Sequence, residues 1–292
     1  MKIIYSIITI LHLLITSNAA NASAWLVPPG KTQFIGQNWN THSNLHGNRY
    51  NTYNLPMYLN TSALNVYIEH GVFEKFSLGV TSNASWKRVD DNVSYNNTSQ
   101  QSWDYIDIFG KLNVFKNDIF VTTLQSTASI PMYKEYTLHH TQSPYMPSKA
   151  YEARIMFGLG GGSGGLVSGI LGGDGSFINL EFAYKKYESF TGYNEAKMQL
   201  DLGYKIDDSV IKMLLLQYFR TNKIYTKFTP DMIPYQNGYM HNDISQVLGS
   251  ILLDIGSNTL MQFGLFYEVK GNYIGKSEEG NSARGLVLGI WM

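Results

Sequence analysis

The segment Ala196–Tyr204, which reads AKMQLDLGY, alternates between apolar and polar side chains. Every second residue from Ala196 to Tyr204 is apolar, and lysine, glutamine, aspartate and glycine lie between them. Because successive side chains of a β-strand point to opposite faces, this period of two predicts a strand with one apolar face and one polar face. No helical stripe of 12 or more residues follows the N-terminal apolar segment.

The same alternation recurs along the chain and predicts an all-β fold. We predict twelve strands, near residues 31–41, 61–70, 75–87, 101–113, 118–130, 149–160, 176–188, 194–206, 209–221, 241–254, 258–270 and 282–292. Most of them are close to the length of about ten residues that a tilted strand needs to cross a bilayer.

The predicted connections differ in length in a regular way. Those at 71–74, 114–117, 207–208 and 255–258 are short, whereas those at 42–60, 88–100, 131–148 and 222–240 are long and polar. Short turns at one end and long loops at the other are typical of outer-membrane barrels. We therefore predict a twelve-stranded antiparallel up-and-down transmembrane β-barrel. The short connection at 189–193 and the Gly-rich one at 161–175 depart from the rule, and a secreted β-sandwich would also alternate.

The N-terminus predicts export. A basic start, an apolar run over residues 3–15 and the triplet Ala22-Ser23-Ala24 have the form of a signal peptide with an A-x-A-like cleavage site. We predict a signal peptide at 1–24 and an outer-membrane barrel domain at 25–292, with cleavage after Ala20 or Ala22 as alternatives and an uncleaved anchor as the competing interpretation. The predicted location is the outer membrane of a Gram-negative bacterium.

Composition excludes several function classes. Lys plus Arg and Asp plus Glu both number 22, so net charge gives no reason to expect nucleic-acid binding. The chain has no cysteine, which excludes disulfides, thiolate metal sites and cysteine nucleophiles. We expect no cofactor.

Several hairpins resemble a family of bacterial outer-membrane β-barrels of poorly defined function, of the XagA-like or transporter-like kind. The similar segments are Tyr67–Gly79, Gly110–Asp118 and Tyr151–Arg154. The last strand, Arg284–Met292, is similar to the C-terminal strand by which the barrel-assembly machinery recognises its clients, although the aromatic Trp291 is penultimate rather than last. The resemblance implies a fold, a location and, loosely, transport.

Three motifs invite a chemical interpretation, and each has a simpler one. His42 and Ser43 suggest a lipid hydrolase, but adjacent strand residues point to opposite faces. His139 and His140 suggest a metal site without carboxylates nearby, so loop histidines are the simpler interpretation. The Gly-rich run 160–165 contains G-x-G-x-x-G, but no helix or acidic residue follows as a dinucleotide site requires.

The polar strand faces carry the functional prediction. If the apolar faces, with Phe182 and Leu200, meet lipid, the pore-lining residues are Glu69, Asp107, Lys111, Glu152, Arg154, Glu181, Lys185, Lys197, Gln199, Asp201, Gln262 and Glu268. We expect Arg154, Glu181, Lys197 and Asp201 to form cross-strand charge pairs. Barrels of about 8 strands are filled by side chains and those of 16–18 hold an aqueous channel, so twelve leaves both a plugged and an open lumen possible.

The most direct interpretation is a narrow passive channel or uptake pore for a small-molecule solute. A structural or adhesive barrel that binds a partner through its loops is the alternative, and a barrel-embedded lipid hydrolase is a third.

Overall fold

A computed structural model describes residues 24–46, 56–91, 98–132, 149–160, 175–188, 193–206, 210–225, 244–257, 259–269 and 283–292. It contains twelve β-strands: β1 Thr32–His46, β2 Pro56–Phe73, β3 Phe76–Asp91, β4 Thr98–Lys116, β5 Phe120–Pro131, β6 Ala150–Gly160, β7 Phe177–Tyr187, β8 Tyr193–Lys205, β9 Ile211–Tyr225, β10 Ile244–Asp254, β11 Leu260–Val269 and β12 Ala283–Trp291. In these ranges no helix is long and apolar enough to cross a membrane.

The strands form one closed barrel. Each strand pairs antiparallel with its neighbours in the chain, and β12 pairs with β1 from Ile35–Trp291 to Ser43–Ala283, which closes the sheet. Closure leaves no unpaired sheet edge, as a sheet in lipid requires. The predicted fold class is confirmed, and the sandwich alternative is wrong.

The two faces of the sheet have opposite character. Large apolar side chains such as Leu265, Leu288 and Phe182 are exposed on the outer face. Inside, Glu69, Glu181 and Asp201 are almost fully buried. Soluble domains rarely bury such carboxylates and rarely expose a broad apolar belt, so the barrel is built to be surrounded by lipid.

The first four strands are longer than predicted. Much of the predicted loops 42–60 and 88–100 is strand, because β1 extends to His46, β2 begins at Pro56, β3 extends to Asp91 and β4 begins at Thr98. These extensions carry many polar residues, so apolar alternation could not reveal them, whereas backbone pairing with the neighbouring strand continues regardless of side-chain polarity.

In β9–β12 and part of β1 the inner face of the sheet is apolar as well as the outer face. There, inward side chains are also apolar, and they pack in two clusters around Leu252 and Leu248. Residues such as Met213, Leu215 and Val287 face inward, while Leu214, Leu216 and Leu288 face outward. The inward apolar side chains bury one another, so both faces of these strands are apolar.

The residues before β1 enter the barrel. Ala24 is fully buried against Val121 and Met156, and Val27 is 2% exposed. Backbone hydrogen bonds join Gly30 N to Gly71 O at 2.8 Å and Gly71 N to Lys31 O at 3.0 Å, which fasten the segment to the end of β2. We call Ala24–Lys31 the N-terminal strap.

Candidate functional site: the barrel lumen

The lumen contains a cavity of about 290 Å³. All twelve residues predicted to line a pore lie on the inner face of the barrel. Eight of them border the cavity: Glu69, Asp107, Lys111, Glu152, Arg154, Lys197, Gln199 and Asp201. The other four, Glu181, Lys185, Gln262 and Glu268, lie on the inner face of β7 and β11 beyond its border.

One buried ion pair joins β2 to β4. Lys111 Nζ lies 2.8 Å from Glu69 Oε2, and both side chains are at most 4% exposed. Ser77 donates a hydrogen bond of 2.6 Å to the same carboxylate, and Tyr67 donates another. Lys111 also lies over the rings of Tyr67 and Phe109, with 5.5 Å to each centroid. The full set of partners compensates the desolvation of both charges.

A second network connects β6, β7 and β8. Arg154 donates to Glu181 at 2.6 Å and, through Nε and Nη2, to Glu152 at 3.1 and 2.7 Å. Lys197 donates to Glu152 at 2.9 Å and lies 3.3 Å from Glu195. Arg154 and Lys197 are 24% and 28% exposed, so this network meets the open part of the lumen.

Asp201 is held by amides rather than by a cation. Gln199 Nε2 lies 2.9 and 3.0 Å from its two oxygens, and Gln217 donates at 3.0 Å. This part of the charge-pair prediction is therefore corrected: Asp201 has amide partners because the nearest inward positions on β8 and β9 carry glutamines. Near the seam of the barrel, where β1 pairs with β12, Gln262 Oε1 accepts hydrogen bonds from Gln37 at 2.7 Å and from Trp291 at 3.0 Å.

Three predicted residues stand apart from these networks. Asp107 Oδ1 is buried and has no hydrogen-bond partner among the described residues, and its Oδ2 lies 3.5 Å from Thr81 Oγ1. Lys185 lies over the rings of Tyr105 and Tyr187, at 5.1 and 5.6 Å from their centroids. Glu268 lies on the inner face of β11, farther toward the loop end than Gln262.

Facing the charged side of the lumen is an apolar wall. Ile35, Phe177, Met213, Leu215 and Trp291 border the same cavity as the ion pairs do. Trp39 stacks edge-on with Phe219 and tilts against Phe266 farther up the wall. The cavity therefore has a charged wall, formed mainly by β2 and β4–β8, and an apolar wall, formed mainly by β1, β7 and β9–β12.

Sequence reasoning missed several residues of the cavity. Gln33, Gln125 and Gln217 could have been found, since they occupy alternate positions on predicted strands. The strap residue Trp25 could not, because residues 24–29 carry no periodic pattern, yet its side chain borders the cavity.

The other chemical motifs receive little support. His42 lies 2.7 Å from Asn60 Oδ1, a contact between β1 and β2. The pair His139–His140 and nearly all of the Gly-rich segment, residues 161–174, lie outside the described residues. In the part of the chain that the structure describes, no group of three or more His, Cys, Asp or Glu side chains could hold a metal ion.

Comparison with solved structures identifies the fold. The chain is similar to the COG4313 outer membrane channel from Pseudomonas putida F1, with a TM-score of 0.57 and 10% identity over 94% of this chain and 98% of that one. Weaker similarity extends to the Pseudomonas putida toluene transporter TodX, with a TM-score of 0.42 and 8% identity over 95% and 94% of the two chains. The translocator domain of the autotransporter NalP from Neisseria meningitidis gives a TM-score of 0.45 and 10% identity over 89% and 87%.

No family model matches the sequence, and no curated protein does. The resemblance to the XagA-like family therefore stays a prediction. Closure, the apolar outer face and the charged interior agree with the barrel fold of the structural neighbours. The chain is a twelve-stranded transmembrane β-barrel of the bacterial outer membrane.

Proposed function

We propose that this protein is a narrow passive channel for small amphipathic molecules. The observation that carries the proposal is the two-walled cavity, in which Glu152, Arg154 and Lys197 face Met213 and Leu215. A solute with polar and apolar parts can contact both walls. A sugar or a simple ion instead loses part of its hydration shell next to the apolar wall, where no polar group replaces the lost water. The cavity volume of about 290 Å³ is at the lower end of small-molecule sites.

The lumen needs only its own side chains for this task. Carboxylates, ammonium groups and amides offer a solute successive donors and acceptors in place of water. Because most of these charges are held by neighbouring strands, they keep their positions as a solute passes. The fold shared with the COG4313 channel supports this function, and lipid and the barrel-assembly machinery remain the proposed partners of the outer face and of β12.

Planar-bilayer conductance and solute flux into proteoliposomes test the proposal together. We expect a small, steady conductance and faster entry of an aromatic alcohol than of a sugar of similar size, relative to protein-free vesicles. Leu215→Gln should reduce this preference by placing an amide on the apolar wall, whereas Thr127→Ser on the charged wall should leave it unchanged. Folded protein without conductance or solute flux would overturn the channel function.

A further inference from the structure

The N-terminal strap occupies the lumen at the end of the barrel where β1 begins and β12 ends. Its first described residue, Ala24, is fully buried, and Thr123 Oγ1 donates a hydrogen bond of 2.5 Å to its carbonyl oxygen. Its far end bridges to Gly71, where a Cβ would lie 2.2 Å from Pro28 O. A side chain at Gly71 is therefore incompatible with the strap in this position.

The barrel wall leaves room for the Trp25 indole. A Cβ on Gly158 would lie 2.9 Å from Trp25 Nε1, and one on Gly160 would lie 2.9 Å from Trp25 Cζ2. Both glycines face inward from β6. Their lack of side chains creates the space that the ring fills.

Trp25 also completes an apolar layer across the lumen. It packs against the cluster of Phe177, Met213, Leu215 and Leu252, to which Leu260 and Trp291 also belong. These residues come from β7, β9, β10, β11 and β12, so the layer extends from one side of the barrel to the other. The layer borders the same cavity as the ion pairs, at the end of the barrel where β1 begins and β12 ends.

We propose that Trp25 forms the constriction of the channel and determines the size and polarity of the solutes that pass its periplasmic end. The inference rests on the proposed channel function. The indole divides the charged middle of the lumen from the periplasmic mouth, and it belongs to a strap that is hydrogen-bonded at both ends. Passage of a larger solute requires the strap to move out of the glycine-lined space.

The first experiment compares Trp25→Ala with Trp86→Ala in planar bilayers and in liposome flux. Trp86 is 40% exposed and lies on β3, away from the cavity, so it controls for loss of a large aromatic residue. We expect Trp25→Ala to raise conductance several-fold and to admit larger and more polar solutes, and Trp86→Ala to behave as the unaltered protein. Equal conductance and equal size limits in all three proteins would overturn the constriction while leaving the channel function intact.

A second experiment does not depend on conduction. Gly160→Ala should lower the urea midpoint of unfolding in the unaltered protein, because its methyl group meets the Trp25 ring, and should have a much smaller effect in the Trp25→Ala background. An effect of Gly160→Ala that is the same in both backgrounds would show that the ring does not occupy this space, and would overturn the proposal. The effect of Gly160→Ala can depend on Trp25 even if none of the proteins conducts. That result would overturn both the channel function and the constriction, and the strap would be a static part of the barrel.

Discussion

At the scale of single residues, the inner and outer faces of β8 make opposite demands. Leu200 lies on the outer face in the middle of the strand, and Gln199 lies on the inner face beside Asp201. We expect Leu200→Arg to lower the free energy of unfolding by about 2–4 kcal/mol near the bilayer midplane. Gln199→Arg should cost much less, since it places a cation near Asp201. Reversible unfolding in lipid vesicles measures both values, and equal costs would contradict the assigned facing.

The buried pair of Glu69 and Lys111 gives a second residue-scale prediction. Glu69→Gln removes the carboxylate that faces a buried ammonium group, so we expect a loss of about 3–5 kcal/mol in the free energy of unfolding. The double variant Glu69→Gln/Lys111→Met removes both charges and should recover much of that loss. Urea unfolding of the three proteins measures the difference. If the double variant is as unstable as Glu69→Gln, the loss of stability does not come from leaving the Lys111 charge without its partner.

At the scale of the strands, closure of the barrel depends on a glycine in β12. A Cβ on Gly285 would lie 1.8 Å from Asn40 O, so a side chain there forces β12 away from β1. We expect Gly285→Ala to reduce the yield of heat-modifiable folded barrel on gels. The matched control is Gly249→Ala in β10, where no atom of the described residues lies within 4 Å of the added methyl group. Similar yields from both variants would show that β1 and β12 can pair at the wider separation that a side chain at Gly285 requires.

The strap gives a further prediction about processing of the chain. The sequence Ala20-Asn21-Ala22-Ser23-Ala24 offers two A-x-A sites, and the sequence alone favours cleavage after Ala24. Thr123 donates to the Ala24 carbonyl inside the barrel, and a start at Trp25 would place a charged α-amino group there instead. We therefore expect the mature protein to begin at Ser23 or earlier. Intact-mass measurement of protein from the membrane fraction decides it, and a start at Trp25 would contradict the expectation.

At the scale of the whole molecule, period-two alternation identified all twelve strands and the inward position of the charged residues. It did so because a lipid-facing sheet must separate apolar from polar side chains at every step. It failed where that constraint is absent: the polar extensions of β1–β4 are held by backbone pairing, and β9–β12 are apolar on both faces. The strap around Trp25 has no period at all, and only the three-dimensional structure places it in the lumen.

The balance of charge in the lumen distinguishes a hydrated channel from a plugged one. Among the described side chains between the two rims, the inner face carries seven carboxylates and four cations, an excess of three negative charges. The carboxylates are Glu69, Asp107, Glu152, Glu181, Glu195, Asp201 and Glu268, and the cations are Lys111, Arg154, Lys185 and Lys197. We expect this excess to give the channel a modest preference for cations. A ring of side chains that all carry one charge sign would give a stronger preference.

Glu181→Gln tests that balance. Arg154 keeps both of its hydrogen bonds to Glu152 and is partly exposed, so we expect a small change in unfolding free energy and a measurable fall in cation preference. The reversal potential in a salt gradient measures the cation preference. The control is Glu74→Gln, which removes one negative charge from the exposed turn between β2 and β3. A large loss of stability with no change in permeation would indicate a dry, plugged lumen, because a hydrated arginine can lose one partner cheaply and a desolvated one cannot. Unchanged stability together with an unchanged reversal potential would mean that Glu181 does not face the path of the ions.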